Sequence, residues 1–316
     1  MTADPAADPA AATGSSVTDA DVFTDVPGLR LGHAHDAAVR TGVTVILPDD
    51  PAVMGVDVRG GGPGTRETDA LAPGNLVERF HGLVLAGGSV FGLGAADAVV
   101  AWLSARGVGL ALGPRAIPVV PGAILFDLAN GGDKAWGDAP PYGRLGIAAA
   151  EAAWAAGSAC PHGAVGAGFG ARAGSRPGGI GSASDVMTGP AAATAWRVGA
   201  LVAVNSFGEV CDGAPPERGP VPLPKVAQMG TNTSIGVVAT DAPLTKAQAG
   251  KLALMAHDGL ARAIRPIHTP FDGDTLFALS TAPEGATPVS PLDLAVLGTL
   301  AADSVARAVR RAVAAV

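Results

Sequence analysis

The stretch MGTNTSIGVVATDAPL (229–244) sets two hydroxyl residues, Thr233 and Ser234, between Asn232 and the apolar run that starts at Ile235. Threonine is a weak nucleophile until a base takes its proton. A chain N-terminus solves that problem. There the α-amino group, with a pKa of about 7.7, supplies a base near neutral pH. The Thr233 hydroxyl could create such a terminus itself. Attack on the Asn232 carbonyl would give an ester by an N-to-O acyl shift, and water would release it. On local pattern alone, a hydroxyl pair that only opens a strand is the commoner meaning.

Three other stretches could carry chemistry. HTPFDGDTLFALST (268–281) holds Asp272 and Asp274 around Gly273. Two acids so close can orient an ammonium and a hydroxyl together, and their repulsion raises one pKa. The plain alternative is a solvated D-G-D turn. Calcium has little support, because no EF-hand-like ligand series follows. Asn205 ends the apolar run in AVNSFGEV, where its amide could donate to a developing oxyanion or simply form a turn. LAGGSVFGLGAAD (85–97) holds Gly87, Gly88 and Ser89. Its spacing is not G-x-G-x-x-G, and no acid follows near 107–120, so a dinucleotide site is disfavoured. Neither Ser89 nor Ser182 has the glycines of a nucleophile elbow. Close helix–strand packing, or backbone N–H groups lining a pocket, accounts for the glycines better. The six histidines form no HExxH pattern, and His268, near Asp272, reads as structural.

These residues need a scaffold, and the chain is long enough to build one. It has 316 residues, 48% of them hydrophobic but only 4% aromatic, so the core rests on Ala, Val, Leu and Ile. A net charge of −7 and the lack of a Lys/Arg cluster argue against a nucleic-acid partner. Cys160 and Cys211 make neither a disulfide framework nor a zinc pattern. No apolar stretch of about 20 residues suggests a membrane span, and no secretory signal opens the chain. A reducing cytoplasm is the expected compartment. Residues 1–20, rich in Ala, Pro and Asp, read as a disordered tail. Strands are expected at 42–48, at the start of GLVLAGG, over AIPVVPGAILFDLANGG, in GALVAVN, from Thr233, and in DTLFALSTA. Helices are expected from about Gly92 to Ala105, in RLGIAAAEAAWAAG, in TKAQAGKLALMAHDGLARAIRP and at the C-terminus. A Pro-rich exposed loop spans 215–232. The pattern is that of an α/β or α+β layered domain.

Taken together, these stretches resemble the L-aminopeptidase/D-esterase (β-peptidyl aminopeptidase) family, which includes the nylon-oligomer (6-aminohexanoate-oligomer) hydrolases. The similarity runs from DVPGLRLGHAHD to the last helix. It is most specific in LAGGSVFGLGAADAVVAWL, NTSIGVVATDAPL and IHTPFDGDTLFALST. The resemblance implies an αββα sandwich like that of N-terminal-nucleophile hydrolases. It also implies self-cleavage between Asn232 and Thr233 into chains 1–232 and 233–316 of one domain, 21–316. Thr233 would be the nucleophile, its freed amine the base, and Asn205 an oxyanion-side residue. Asp272 and Asp274 match the nylon-oligomer branch; the peptidase branch carries a Ser and a Glu in that region. Gly87, Gly88, Ser89, Phe126 and Arg176 are candidates for substrate contact. Two positions depart from the family. Arg176 and Pro177 stand where the nylon-oligomer hydrolases have a catalytic lysine, and arginine stays protonated, so it can stabilise charge but not act as a base. Phe126 stands where a tyrosine is frequent, which removes a hydroxyl donor. The implied activity is hydrolysis of small peptides, amino-acid amides or linear amide oligomers, with no cofactor and no metal. The implied assembly is a homo-oligomer, a tetramer of cleaved αβ units. Two rival readings are a non-catalytic oligomeric small-molecule binder and a nucleotide-binding enzyme using the turn at Gly87.

Overall fold

The computed structural model describes residues 21–156, 159–188, 195–215, 219, 221 and 232–315. The expected tail, 1–20, and most of the expected Pro-rich loop lie outside the described residues. In chain order the regular elements are β1 Leu29–Asp36, β2 Thr41–Pro48, β3 Val53–Val58, β4 Thr65–Arg66, β5 Leu83–Ala86, α1 Gly94–Ser104, β6 Gly122–Ile124, α2 Tyr142–Ala156, β7 Arg172–Ala173, β8 Arg176–Pro177, β9 Gly179–Met187, β10 Trp196–Val204, β11 Glu209–Val210, β12 Ile235–Thr240, α3 Lys246–Ala261, β13 Ile264–Arg265, β14 Thr275–Ser280 and α4 Pro291–Ala314.

One sheet runs in the order β1-β2-β5-β6-β4 and the other in the order β3-β14-β12-β10-β9. Three apolar clusters show how they stack. Between the sheets, Leu31, Ile46 and Leu85 meet Leu201, Val237 and Phe277. The far face of the first sheet packs Val43, Val45 and Val84 against Val99 of α1 and Leu145 of α2. The far face of the second packs Val202 and Val238 against Leu252 of α3 and Val305 of α4. The layers are therefore α, β, β, α, as the resemblance implied. Strands covered on both faces need apolar residues on both. That is why β12 reads as an unbroken apolar run: Ile235 and Val237 face the other sheet while Val238 faces the helices.

Three expectations need correction. AIPVVPGAILFDLANGG pairs as a strand only over Gly122–Ile124, just after Pro121. The first helix starts at Gly94, behind a 3-10 turn at Ser89–Leu93. The strand expected from Thr233 begins at Ile235, so Thr233 and Ser234 form its lead-in.

The sequence did not single out β9, whose small residues let α4 lie directly on it. A Cβ on Gly181 would fall 1.9 Å from the Ala308 carbonyl oxygen and 2.6 Å from the Ala312 nitrogen. Gly181→Ala therefore forces α4 off the sheet. The expected cost is about 1–3 kcal/mol, read as a lower urea midpoint with an unchanged slope. An unchanged midpoint would mean that α4 yields freely.

Candidate active site

Strand register assembles the site. β12 pairs with β14 in parallel, with Ile235 opposite Thr275, and with β10 in antiparallel, with Ala203 opposite Ile235. Two residues back along both ladders, Thr233 falls between Gly273 on one side and Asn205 on the other. The contacts follow that extension. Asn232 and Asp272 form a parallel bridge, and the Thr233 N–H donates to the Asn205 carbonyl at 2.6 Å. Stretches about 30 and 40 residues apart in sequence thus meet at one sheet edge.

Thr233 is 4% exposed. Its hydroxyl donates to the Asn232 carbonyl, the carbonyl of its own preceding peptide bond. The same oxygen accepts the Gly273 N–H at 3.1 Å. A Cβ on Gly273 would sit 2.7 Å from Thr233 Oγ1 and 2.6 Å from the Gly62 carbonyl oxygen, so the position has no room for a side chain. Ser234 is buried, and among the described residues its Oγ has no partner.

The two aspartates are not a solvated turn, because both are fully buried. Asp272 Oδ2 accepts from the Thr269 N–H (2.9 Å) and hydroxyl (2.6 Å), and Oδ1 from the Phe207 N–H (3.3 Å). Asp274 Oδ1 accepts from the Ser234 N–H (2.8 Å). Its Oδ2 accepts from the His268 N–H (3.1 Å) and Nδ1 (2.9 Å). Oxygens ringed by N–H and O–H donors suit a carboxylate, not a cation ligand set. Among the described residues, no group of three His, Cys, Asp or Glu is placed to hold a metal. Burial, and then the neighbouring Asp274 charge, push the Asp272 carboxyl above the usual range. In this unbroken chain Thr233 itself bonds to Asn205 and Asn232, and the carboxylates reach it only through its neighbours.

The remaining candidates divide. Asn205 Oδ1 accepts from the Arg172 N–H (2.8 Å), and Nδ2 donates to the Phe126 carbonyl (3.0 Å). Phe126 thus adjoins the site through its backbone. Gly87, Gly88 and Ser89 lie one step further out. The Gly88 N–H donates to Asp127 Oδ1 (2.8 Å) and the Ser89 N–H to the Leu125 carbonyl (2.9 Å). Gly88 has φ +83°, and a Cβ there would enter the Tyr142 ring. The turn is thus built for close packing, one of the two accounts its sequence offered. Arg176 stands apart. From β8 its guanidinium meets the Val210 carbonyl of β11 and Asp212 just beyond that strand.

Sequence reasoning missed three contributors. His268 and Thr269 each hold one aspartate; Thr269, three residues before Asp272, had the spacing of a hydroxyl turn. The Gly60–Gly62 run packs beneath the acid turn, where the Gly62 N–H donates to the Asp272 carbonyl at 2.8 Å. A Cβ on Gly60 would lie 2.4 Å from both the Asp272 carbonyl oxygen and the Asp274 nitrogen. Three consecutive glycines were the available signal.

Two solved structures match most of this architecture. A β-aminopeptidase of Burkholderia sp. matches with a TM-score of 0.71 and 26% identity, over 92% of this chain and 86% of its own. The L-aminopeptidase D-Ala-esterase/amidase of Ochrobactrum anthropi, a serine aminopeptidase with a variant of the Ntn hydrolase fold, matches with a TM-score of 0.70 and 25% identity, over 93% and 86%. With this layering and these neighbours, the protein is a hydrolase of amide bonds with an Ntn-type fold. It belongs to peptidase family S58, whose model matches residues 21–316. An uncharacterised aminopeptidase of Mycobacterium tuberculosis is 42% identical over 327 residues, covering 91% of this chain and 92% of the relative. A 6-aminohexanoate-oligomer endohydrolase of Kocuria sp. is 31% identical over 282 residues, covering 81% and 74%. The substrates of the present protein are accordingly small peptides or amides. No described helix is long and apolar enough to cross a membrane.

Proposed function

We propose that the protein is a self-processing hydrolase whose nucleophile, Thr233, becomes an N-terminus by cutting the Asn232–Thr233 bond. One observation carries this reading. The Thr233 hydroxyl lies on the carbonyl it would attack, and the Gly273 N–H points at the same oxygen. As Oγ1 bonds to the Asn232 carbon, negative charge grows on that oxygen, where a preset donor stabilises it. The hydroxyl proton passes to the Thr233 nitrogen as the C–N bond breaks. Water then splits the ester, leaving an Asn232 carboxylate and restoring the hydroxyl.

The freed amine keeps the Asn205 carbonyl as its partner and serves as the base in turnover. It takes the hydroxyl proton as Oγ1 attacks a substrate amide, and the leaving amine departs protonated. Water then hydrolyses the acyl-enzyme. Asn205 stands on the oxyanion side, and Asp272 and Asp274 set the amine and hydroxyl in line. Phe126 and the Gly87–Ser89 turn are the candidates for substrate contact, and Arg176 contributes charge from further away. The acid pair favours linear amide oligomers of the 6-aminohexanoate kind as substrates, with short peptides and amino-acid amides beside them. The working form is a cytoplasmic tetramer of cleaved units, and the free thiols of Cys160 and Cys211 fit a reducing compartment.

Intact mass of the purified protein tests this reading. Two species, 1–232 and 233–316, are expected after incubation at neutral pH. A single chain that nevertheless hydrolyses amides at full rate would overturn the N-terminal mechanism.

A further inference from the structure

His268 occupies a left-handed conformation, φ +56°, which few residue types other than Gly, Asn, Asp and His take readily. That geometry turns both its donors onto one oxygen: the backbone N–H and Nδ1 converge on Asp274 Oδ2 at 3.1 and 2.9 Å. With a carboxylate oxygen as acceptor, Nδ1 carries the proton. The other carboxylate oxygen, Oδ1, is left facing the Ser234 N–H, one residue from Thr233.

The imidazole is itself braced from behind. It packs edge-on against His257, with centroids 4.9 Å apart and planes at 70°. His257 is fully buried on α3, and its Nε2 donates to the Asp57 carbonyl at 2.9 Å. Burial pushes the His257 imidazole down to about 4, so a neutral ring backs His268 at neutral pH. A turn-forming residue would need only the φ value. The convergent Nδ1 contact and the buried bracing ring go beyond that need.

We propose that His268 is a positioning residue for both self-cleavage and turnover. It fixes the direction of Asp274 so that Oδ1 serves the Thr233–Ser234 edge. This rests on the reading of Thr233 as nucleophile with Asp274 in its service.

Two substitutions separate the donor from the turn. Glycine and asparagine both accept φ +56°, so His268→Gly and His268→Asn keep the backbone. Only asparagine keeps a side-chain N–H near the place of Nδ1. The full-length protein is assayed in two ways: the rate of splitting at 232/233 by intact mass, and kcat and KM on an α- or β-aminoacyl p-nitroanilide that the wild type turns over. For His268→Gly, splitting and kcat are expected to fall about tenfold to a hundredfold, with KM changed less than about threefold. His268→Asn should recover to within about fivefold of wild type. In an Asp274→Asn background, His268→Gly should slow splitting by no more than about twofold further, because its effect runs through that carboxylate. The proposal is overturned if His268→Gly splits and turns over like wild type, or if folded His268→Asn is as slow as His268→Gly. It is equally overturned if the glycine substitution costs as much without Asp274 as with it. Thr233→Ala is the separate control. If it still splits and hydrolyses, the nucleophile reading fails, whatever the His268 variants do.

Discussion

Thr233→Ala is expected to remain one unbroken chain and to lose at least about a thousandfold in amide hydrolysis. One hydroxyl serves both reactions, so one atom's removal ends both. The fold should survive the change. Thr233 is buried, but among the described residues its side chain contributes a single hydrogen bond, to a carbonyl that also accepts the Gly273 N–H. Losing such a bond costs about 1 kcal/mol, and Asn232 keeps a partner. A folded, inert, uncut chain is therefore the expected product, and circular dichroism with intact mass will show it. Thr233→Ser keeps the hydroxyl with freer rotamers, so it should still process, though more slowly. Ser234 is the competitor to watch, since its buried Oγ has no partner among the described residues. A takeover by Ser234 would cut one residue later, and the large fragment would then carry residue 233. Cleavage of Thr233→Ala between 232 and 233 would instead remove Thr233 from the mechanism.

The site was legible in the sequence because register does most of the assembly. Asn205, Thr233 and Gly273 lie just outside the ends of β10, β12 and β14, whose apolar runs were visible. Once those strands pair, their flanking residues share one edge. What the sequence hid was mostly backbone. The Gly273 N–H and the carbonyls of Asn205 and Phe126 contribute through main-chain atoms, which any residue type supplies. His268 read as structural because a lone histidine at a strand mouth says nothing about where its Nδ1 points. Arg176 poses the opposite case. It stands where the resemblance puts a lysine, yet the ribbon it lies on turns its guanidinium to Val210 and Asp212. In the fold, β9 was hidden by its small residues, which weaken the apolar signal while permitting helix contact. The extended reading of 116–132 shortens to the strand Gly122–Ile124, because Pro118 and Pro121 leave little room for a longer ladder.

Asp272→Asn and Asp274→Asn are expected to fold, to process measurably but slowly, and to hydrolyse poorly. Each change keeps size and shape but weakens a charge-assisted hydrogen bond, worth roughly 1.5–3 kcal/mol. If that bond is made fully only in the transition state, the rate falls about tenfold to a hundredfold or more. The pH dependence separates the electrostatic role from simple disorder. Burial and the Asp274 charge hold the Asp272 carboxyl above its ordinary value. Removing the charge in Asp274→Asn lets Asp272 titrate at lower pH. The Thr233 amine also loses a neighbouring anion that favours its ammonium form, so its pKa falls too. Both shifts act in one direction, and the acid limb of the residual activity should move to lower pH. Stability carries a matching sign. A raised carboxyl favours the fold while protonated, and that contribution disappears as pH rises through its folded-state pKa. Asp272→Asn should therefore compare better with wild type above that pH than below it. Urea midpoints on either side of the transition will show this. Fully processed variants with wild-type turnover and an unmoved acid limb would leave Thr233 and Asn205 to act without the acids.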